Sequence, residues 1–413
     1  MRCAALGLFF GLAAPALALA GLADILNLQD SDVIPGKYIV SLLPGVDAAL
    51  HLSWVRDVHR RSLARRGSSG GSSTAGLEKT YGFGGFSGYA GEFDDDTVLQ
   101  ILSNVNVLHV EADRAANLTS VTQQQANAPW GLEALSSRTR VSDGNTRGHT
   151  YRYDSSGGAG TFAYVLDSGV LTNNSEFGGR AVKGYNAWDG TESFDDHFGH
   201  GTHVAGTIAS NSYGVAKRAT VVDVKVVRSY GYSTVAHVLD GINWVVNNAT
   251  GTPGRAAKSV INMSLAFTTS ATLNAAVDAA AAMGVLSVVG AGNDAADAST
   301  RSPASAPAAL AVGAVHWNRT RASFSNYGPR VAVFAPGVDV ASLWNVEGVE
   351  SVNSGTSMSS PHVAGLVCYL KGLESGLDTP AATIARVKGL AIADVVADAG
   401  TGSPNLLAYN GIA

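Results

Sequence analysis

Tyr164-Val165-Leu166-Asp167-Ser168-Gly169 sets a carboxylate directly behind a compact apolar run, and runs of that kind recur at 221–227, 259–265, 285–290 and 310–315. Short and apolar throughout rather than alternating, they read as parallel strands buried on both faces. Helical faces lie between them: Val235, Val238, Leu239, Ile242 and Val246 form one, and Leu273, Ala276, Val277 and Ala280 another. Strands alternating with helices predict an α/β fold, a doubly wound, mostly parallel sheet with helices on both faces, whose functional residues gather at the carboxyl ends of the strands. Asp167 stands at such an end, although an aspartate before Ser-Gly is more commonly a turn residue.

At 413 residues, 46% hydrophobic and 15% charged, the chain is long enough for two folded units, and its 48 glycines point to many tight turns. A net charge of −5, a pI near 6.0 and scattered basic residues argue against a nucleic-acid footprint or a polybasic membrane patch. Residues 1–20 read as a signal peptide: Arg2 is the positive start, 6–19 the apolar stretch and Ala18-Leu19-Ala20 the small-x-small cleavage site. That stretch is short and interrupted by Pro15, which disfavours a membrane anchor, and no later segment is long and apolar enough to span a bilayer. Cys3 leaves with the signal, so Cys368 stands alone, no internal disulfide forms, and the thiol reads as buried filler. Sequons starting at Asn117, Asn173, Asn248 and Asn318 are compatible with secretion, while one at Asn262 falls in a strand predicted to be buried.

Upstream, residues 33–111 show a smaller α+β pattern. Residues 38–40 read as a strand, Leu50, Trp54 and Val58 as one helical face, 81–93 as an aromatic-rich stretch, and Val98, Ile101, Leu102 and Val105 as a second helix before a strand at 107–110. The order strand-helix-strand-strand-helix-strand is the ferredoxin-like arrangement. A Gly/Ser-rich insert at 67–75 reads as a flexible loop. It contains Gly67-Ser68-Ser69-Gly70-Gly71, a formal match to the nucleophile elbow of lipases and esterases, but has neither the strand before it nor the helix after it that the elbow requires. The Gln-rich stretch 120–126 reads as a linker.

The chemistry concentrates in Ser354-Gly355-Thr356-Ser357-Met358-Ser359-Ser360-Pro361-His362-Val363-Ala364-Gly365, which runs from glycine-bounded turns into an apolar helix. A serine at a helix start faces unpaired backbone N–H groups and the positive end of the helix dipole, and Pro361 suits a first turn. Serine and threonine before a helix are ordinarily caps, so a nucleophilic Ser357 requires a base, a partner orienting that base, and oxyanion donors elsewhere in the chain. Phe198-Gly199-His200-Gly201-Thr202-His203-Val204-Ala205-Gly206 supplies histidines, and Val289-Gly290-Ala291-Gly292-Asn293 an amide at another strand end. His200 and His203 are three apart, yet no flanking carboxylate matches a zinc-protease signature and no third ligand is evident, so no metal site is assigned. The chain order Asp, His, Ser excludes the α/β-hydrolase esterases, where serine comes first.

These motifs, together with Asn127-Ala128-Pro129-Trp130-Gly131-Leu132, Tyr213-Gly214-Val215-Ala216-Lys217, Ser323-Phe324-Ser325-Asn326-Tyr327-Gly328 and Asn405-Leu406-Leu407-Ala408-Tyr409-Asn410, resemble the subtilisin-like serine proteases (subtilases), closest to the secreted fungal proteinase K group. Phe86-Ser87-Gly88-Tyr89-Ala90-Gly91-Glu92-Phe93 resembles that family's inhibitor propeptide. The resemblance implies a peptidase domain over 123–413 behind a propeptide over 21–122 that assists folding, occupies the cleft with its C-terminal end and is cut off by the enzyme itself. It implies Ser357 as nucleophile, His200 as general base then acid, Asp167 as its orienting carboxylate, and Asn293 with the Ser357 N–H as oxyanion hole. Tyr230, Gly231 and Tyr232, with Ser264, Leu265, Ala266 and Phe267, would flank an extended peptide substrate, and Gly290, Ala291 and Gly292 would floor an apolar S1 pocket. A secreted or vacuolar monomer acting on protein and peptide substrates follows, with no required cofactor, no nucleic-acid partner and no membrane partner.

Four positions depart from the pattern. Ala266 and Phe267 stand where glycines usually let a substrate backbone approach, which predicts altered selectivity beyond P1. Val204 replaces a cysteine after the helix histidine, so thiol reagents should do little. Ala332 replaces an aspartate ligand of a structural calcium, which removes the carboxylate from that oxygen-ligand site. The competing reading is a secreted, catalytically inactive binding protein on the same scaffold.

Overall fold

The structure is a computed structural model that describes residues 25–28, 33–66, 75–114, 122–188 and 190–412. The signal-peptide reading, the Gly/Ser-rich stretch 67–74 with its formal elbow motif, Asn117 and residues 117–121 of the expected propeptide junction region 117–123 lie outside those residues. The chain divides into two units, 1–119 and 120–413.

The smaller unit is a five-stranded sheet with two helices, Ala48–Arg66 and Asp95–Leu102. Strand Val33–Leu42 pairs antiparallel with both Phe86–Glu92 and Val107–Arg114, Gly76–Phe83 lies beyond Phe86–Glu92, and Ile25–Leu26 adds a short parallel edge. The ferredoxin-like reading holds, with two corrections to its helical faces. Leu50 is 71% exposed, because His51, Val55, Val58 and Ser62 form the buried stripe of the first helix. Val105 is 84% exposed, because its helix stops at Leu102, short of it. The second helix starts on Asp94, whose carboxylate accepts from Thr97 N–H (2.8 Å) and from Ser62 Oγ (3.0 Å).

The larger unit is organised by a nine-stranded sheet. Its strands are β1 (Phe162–Asp167), β2 (Ala181–Asn186), β3 (Thr220–Lys225), β4 (Ser259–Met263), β5 (Leu286–Gly290), β6 (Leu310–Val315), β7 (Val331–Pro336), β8 (Ile392–Ala393) and β9 (Leu406–Leu407), in the order β8-β9-β7-β6-β5-β4-β1-β3-β2. All pairs are parallel except β8 with β9. Besides a short helix at Trp130–Ser136, the helices described are α1 (His200–Ala209), α2 (Val235–Thr250), α3 (Ala271–Ala282), α4 (Thr356–Leu373) and α5 (Pro380–Leu390). Two apolar clusters lie against the sheet: one collects α1 and α4 with Val165, Val260 and Val312, the other α2 and α3 with Tyr164, Val224 and Ile261. Alternate residues of β1 thus enter opposite clusters, which is why its run is apolar throughout.

Strand β1 has β3 on one side and β4 on the other, so the winding reverses there and the carboxyl ends of β1, β4 and β5 open onto a common crevice. The stretch read as a linker is partly a strand: Thr122–Ala128 pairs antiparallel with His149–Asp154, and Gln125 Nε2 donates to the Ser212 carbonyl (2.7 Å). Its polar side chains hid it, since mostly exposed strands need no apolar pattern. Asn262 is fully buried on β4, as its strand assignment implied, while Asn173 and Asn318 are exposed and Asn248 Oδ1 accepts from Tyr164 Oη at 2.7 Å.

Candidate active site

Asp167 ends β1 and is buried. Its Oδ1 accepts from His200 Nδ1 at 2.8 Å and from the Ser168 N–H at 2.8 Å. His200 is the first residue of α1, behind Gly199. A quarter of its side chain is exposed, so one ring edge faces the cleft while the other is held by the carboxylate. Burial alone would lower its pKa; the charge and hydrogen bond of Asp167, with Asp196 adding to them, outweigh that and hold it above the ordinary imidazole value.

His203, one helical turn on, is fully buried and turned elsewhere. Its Nε2 lies 3.1 Å from the Val340 carbonyl and 3.2 Å from the Ser351 carbonyl, as a donor to both. Burial and the neighbouring His200 push its pKa down to about 4, so it is neutral across the working range. Its Nε2 is committed to those carbonyls, so it shares no ligand set with His200, and no group of three His, Cys, Asp or Glu side chains suited to a metal occurs among the described residues.

Ser357 is the second residue of α4, a helix whose cap is Gly355. The expectation for Pro361 is corrected: it lies beyond the first turn, where its missing N–H leaves the Ser357 carbonyl without its i+4 donor. Ser264, just past the end of β4, replaces that donor. Its Oγ donates to the Ser357 carbonyl at 2.8 Å, while the Ser264 carbonyl accepts from Ser357 Oγ at 3.2 Å. The serine hydroxyl therefore rests on Ser264 rather than on the imidazole in this rotamer, a loose contact that a rotation about χ1 releases.

Asn293 follows β5. Its Oδ1 accepts from both the N–H and the Oγ1 of Thr356, each at 2.9 Å, which fixes the amide orientation and turns Nδ2 the other way. Gly355 adopts φ +156°, ψ +162°, a region essentially restricted to glycine. A Cβ there would sit 3.4 Å from Asn293 Nδ2 and 3.6 Å from the Ser357 nitrogen. The missing side chain therefore leaves a space flanked by two N–H donors and by Ser357 Cβ at 3.8 Å.

The residues expected around a substrate fall into two groups. Gly231, Tyr232, Leu265, Ala266 and Phe267 line a cavity of about 380 Å³ with Asp167, His200 and Phe198. Phe198 was not singled out in the sequence; the residue is 43% exposed, and its ring is 6.4 Å from the His200 ring and lies across Gly231. Tyr230 is 63% exposed and outside that lining, stacked on Tyr232 at 6.1 Å where the chain turns back on itself, with Arg228 N–H donating to the Tyr232 carbonyl at 2.8 Å. Phe267 and Thr268 pair antiparallel with Ser302 and Arg301, which commits one edge of that segment. Gly290, Ala291 and Gly292 form the second group around Thr356: the Gly292 N–H donates to Thr356 Oγ1 at 3.1 Å, and a Cβ on Gly292, at φ +105°, would lie 2.4 Å from Asn326 Nδ2. Ser264 joins the groups, since it lines the cavity and touches Ser357.

Two departures are visible in place. Val204 is fully buried in the α1 core cluster, and the Cys368 thiol is buried on α4, where burial raises its pKa to about 12. Ala332 on β7 packs against the core cluster, and its side chain offers no oxygen to a cation.

The Subtilase family profile matches residues 158–403, and Peptidase inhibitor I9 matches 37–119. The chain is 48% identical over 385 residues to Alkaline protease 1 of Aspergillus oryzae, covering 92% of each chain. It is 46% identical over 407 residues to Subtilisin-like proteinase Mp1 of Magnaporthiopsis poae, covering 96% of this chain and 97% of that one. A crystal structure of a cold adapted subtilisin-like serine proteinase aligns with TM-score 0.62 and 40% identity over 69% of this chain and 99% of its own. An α/β sheet of subtilisin type, an inhibitor-type unit ahead of it and relatives that are proteases along nearly their whole length lead to one conclusion: the chain belongs to the subtilase family and is a serine endopeptidase with an I9-type propeptide unit.

Proposed function

We propose that hydrolysis runs through Ser357, His200 and Asp167 by an acyl-enzyme. His200 Nε2 takes the Ser357 hydroxyl proton as Oγ attacks the scissile carbonyl, and Asp167 keeps the other ring proton on Nδ1 and stabilises the imidazolium. The oxyanion sits in the space beside Gly355, held by Asn293 Nδ2 and the Ser357 N–H. His200 then returns the proton to the leaving amine, and a water attacks the acyl group by the same route. What carries this reading is the pairing of a 2.8 Å Asp167–His200 contact with an Asn293 amide turned by Thr356 toward Gly355.

The substrate class is an extended peptide with a hydrophobic or aromatic P1 side chain over Gly290, Ala291 and Gly292. The apolar lining offers no charge to a P1 residue, and backbone hydrogen bonding along 264–266 is largely blind to sequence. The precursor is divided into a signal over 1–20, a propeptide over 21–122 and a peptidase over 123–413. The propeptide inhibits and assists folding until self-cleavage, and the mature enzyme is an extracellular monomer that needs no cofactor. Among the described residues no helix is long and apolar enough to cross a membrane.

Casein hydrolysis by the matured protein, abolished by a serine-directed phosphonylating reagent that labels Ser357, is the expected result. Neither labelling nor hydrolysis after propeptide removal would establish an inactive binding protein instead. A Ser357→Ala precursor that still matured alone would overturn self-cleavage.

A further inference from the structure

Four residues ahead of His200 lies a carboxylate with no place in the reaction as described. Asp196 is 6% exposed, and five donors converge on it. Its Oδ1 accepts from Ser168 Oγ (2.9 Å) and from the backbone N–H groups of Phe198 (3.1 Å) and Gly199 (2.7 Å). Its Oδ2 accepts from the N–H (2.9 Å) and Oγ1 (2.6 Å) of Thr202. Ser168 Oγ accepts in turn from the Gly201 N–H (3.0 Å), and Thr202 Oγ1 from the Leu171 N–H (2.9 Å).

These bonds join two segments that each carry one half of the Asp167–His200 pair. Ser168 and Leu171 belong to the exit of β1, whereas Gly199, Gly201 and Thr202 belong to the start of α1. An ordinary helix-capping aspartate needs one or two N–H partners. Asp196 also grips the strand bearing Asp167, so its loss frees the imidazole to move relative to its carboxylate, not merely the helix end to fray.

The charges around it are mixed. Asp167 on β1 and His203 on α1 face His200 together with Asp196. Behind them Lys225 on β3 donates to the carbonyls of Ser168 and Asp195, and Lys183 on β2 pairs with Asp223 on β3 at 3.1 Å. Burial pushes the Asp223 carboxyl up, against the pull of its Lys183 partner. Asp196 is the second carboxylate whose charge bears on the imidazolium.

We propose that Asp196 is a positioning residue for proteolysis: it clamps the end of β1 to the start of α1, holds the His200 ring in register with Asp167, and lends its charge to the imidazolium. The inference rests on the reading of Asp167, His200 and Ser357 given above. It is distinct from a stability role because it predicts a change in kcat and in the titration of His200 rather than in substrate binding.

The test uses the full chain, matured for kinetics and as the Ser357→Ala precursor for NMR. Asp196→Asn keeps the size but turns donor hydrogens toward N–H groups and removes the charge. The expected kcat falls about 10²-fold, as a small displacement of a catalytic group does. KM should stay within about threefold. The His200 titration midpoint in the Ser357→Ala background should move to lower pH, since losing a nearby negative charge disfavours the imidazolium. Ser168→Ala cuts the strand tether but leaves the charge, so it should lower kcat with little change in the midpoint. It also decides the matter should Asp196→Asn not fold by circular dichroism. A folded Asp196→Asn enzyme with wild-type kcat and an unmoved midpoint would overturn the inference, as would a loss confined to KM. Phosphonate labelling of wild-type Ser357 separates the two claims: wild type that does not label fails the catalytic reading itself, whereas labelling with an unaffected Asp196→Asn fails only the clamp.

Discussion

Ser264 Oγ donates to the Ser357 carbonyl at 2.8 Å, the carbonyl that Pro361 deprives of its helical donor. The residue just past β4 thereby completes the hydrogen bonding of the helix that presents the nucleophile, and it contacts Ser360 Oγ at 2.8 Å as well. Ser264 is 6% exposed and Ser360 is fully buried, while Ser357 is half-buried at the cleft.

Ser264→Ala removes that donor and leaves the carbonyl of half-buried Ser357 without its replacement partner. The expected cost is about 1–3 kcal/mol of stability. Thermal unfolding of the phosphonylated enzyme, which cannot digest itself, measures it, and turnover should fall with it as the Ser357 backbone relaxes. An unchanged melting temperature would show that another group reaches the carbonyl.

Asn293→Ala deletes the Nδ2 donor that Thr356 aims toward Gly355. The expected loss is about 10²–10³-fold in kcat with KM nearly unchanged, since the donor acts on charge that exists only in the transition state. Steady-state kinetics on a peptide amide decide it, and unchanged turnover would remove Asn293 from the oxyanion site.

Gly355→Ala tests the same space from its other side. Its Cβ would enter the pocket between Asn293 Nδ2 and the Ser357 N–H and would hold a backbone conformation costing about 1–3 kcal/mol for a non-glycine residue. Activity should be lost beyond the effect of Asn293→Ala alone, read by active-site titration on folded protein.

The acid limb of kcat/KM should lie above the ordinary histidine value of about 6.5, because proteolysis needs neutral His200 and its folded pKa is raised. The sign for stability is opposite. A raised folded pKa means that protonated His200 stabilises the fold below the unfolded pKa, and this contribution is lost as pH rises through the folded value. Asp167→Asn should move the His200 titration to lower pH. An acid limb at or below the ordinary value would contradict the Asp167 contact.

Phe267 lines the cavity beside His200 while its backbone is paired with Ser302. Phe267→Gly should broaden acceptance at subsites beyond P1 and leave P1 preference alone, as read by peptide-library profiling. Identical profiles would assign the narrowing to Phe198 and Tyr232.

Much of this protein was legible before any coordinate. Five apolar runs named the central strands of the sheet, and the motifs around Asp167, His200, Asn293 and Ser357 stood at strand and helix ends where chemistry gathers. Edge strands were less visible: Ala181–Asn186 and Thr122–Ala128 carry half-exposed or polar residues, and backbone pairing does not need an apolar pattern. The helical faces in the smaller unit were misread at Leu50 and Val105, where the buried stripe includes a histidine and the helix ends early.

The sequence by itself determined which functional groups exist and the local element that carries each, because hydrophobic period and turn residues act over a few positions. Only the tertiary structure decided their partners. Ser168 and Asp196 are 28 positions apart, Asn293 and Thr356 63, and Ser264 and Ser357 93, and each pair meets because strand order and register bring separate segments to one end of the sheet. A hydrogen bond needs its atoms within a few tenths of an ångström, and that alignment is set by packing of the whole sheet rather than by any stretch of chain.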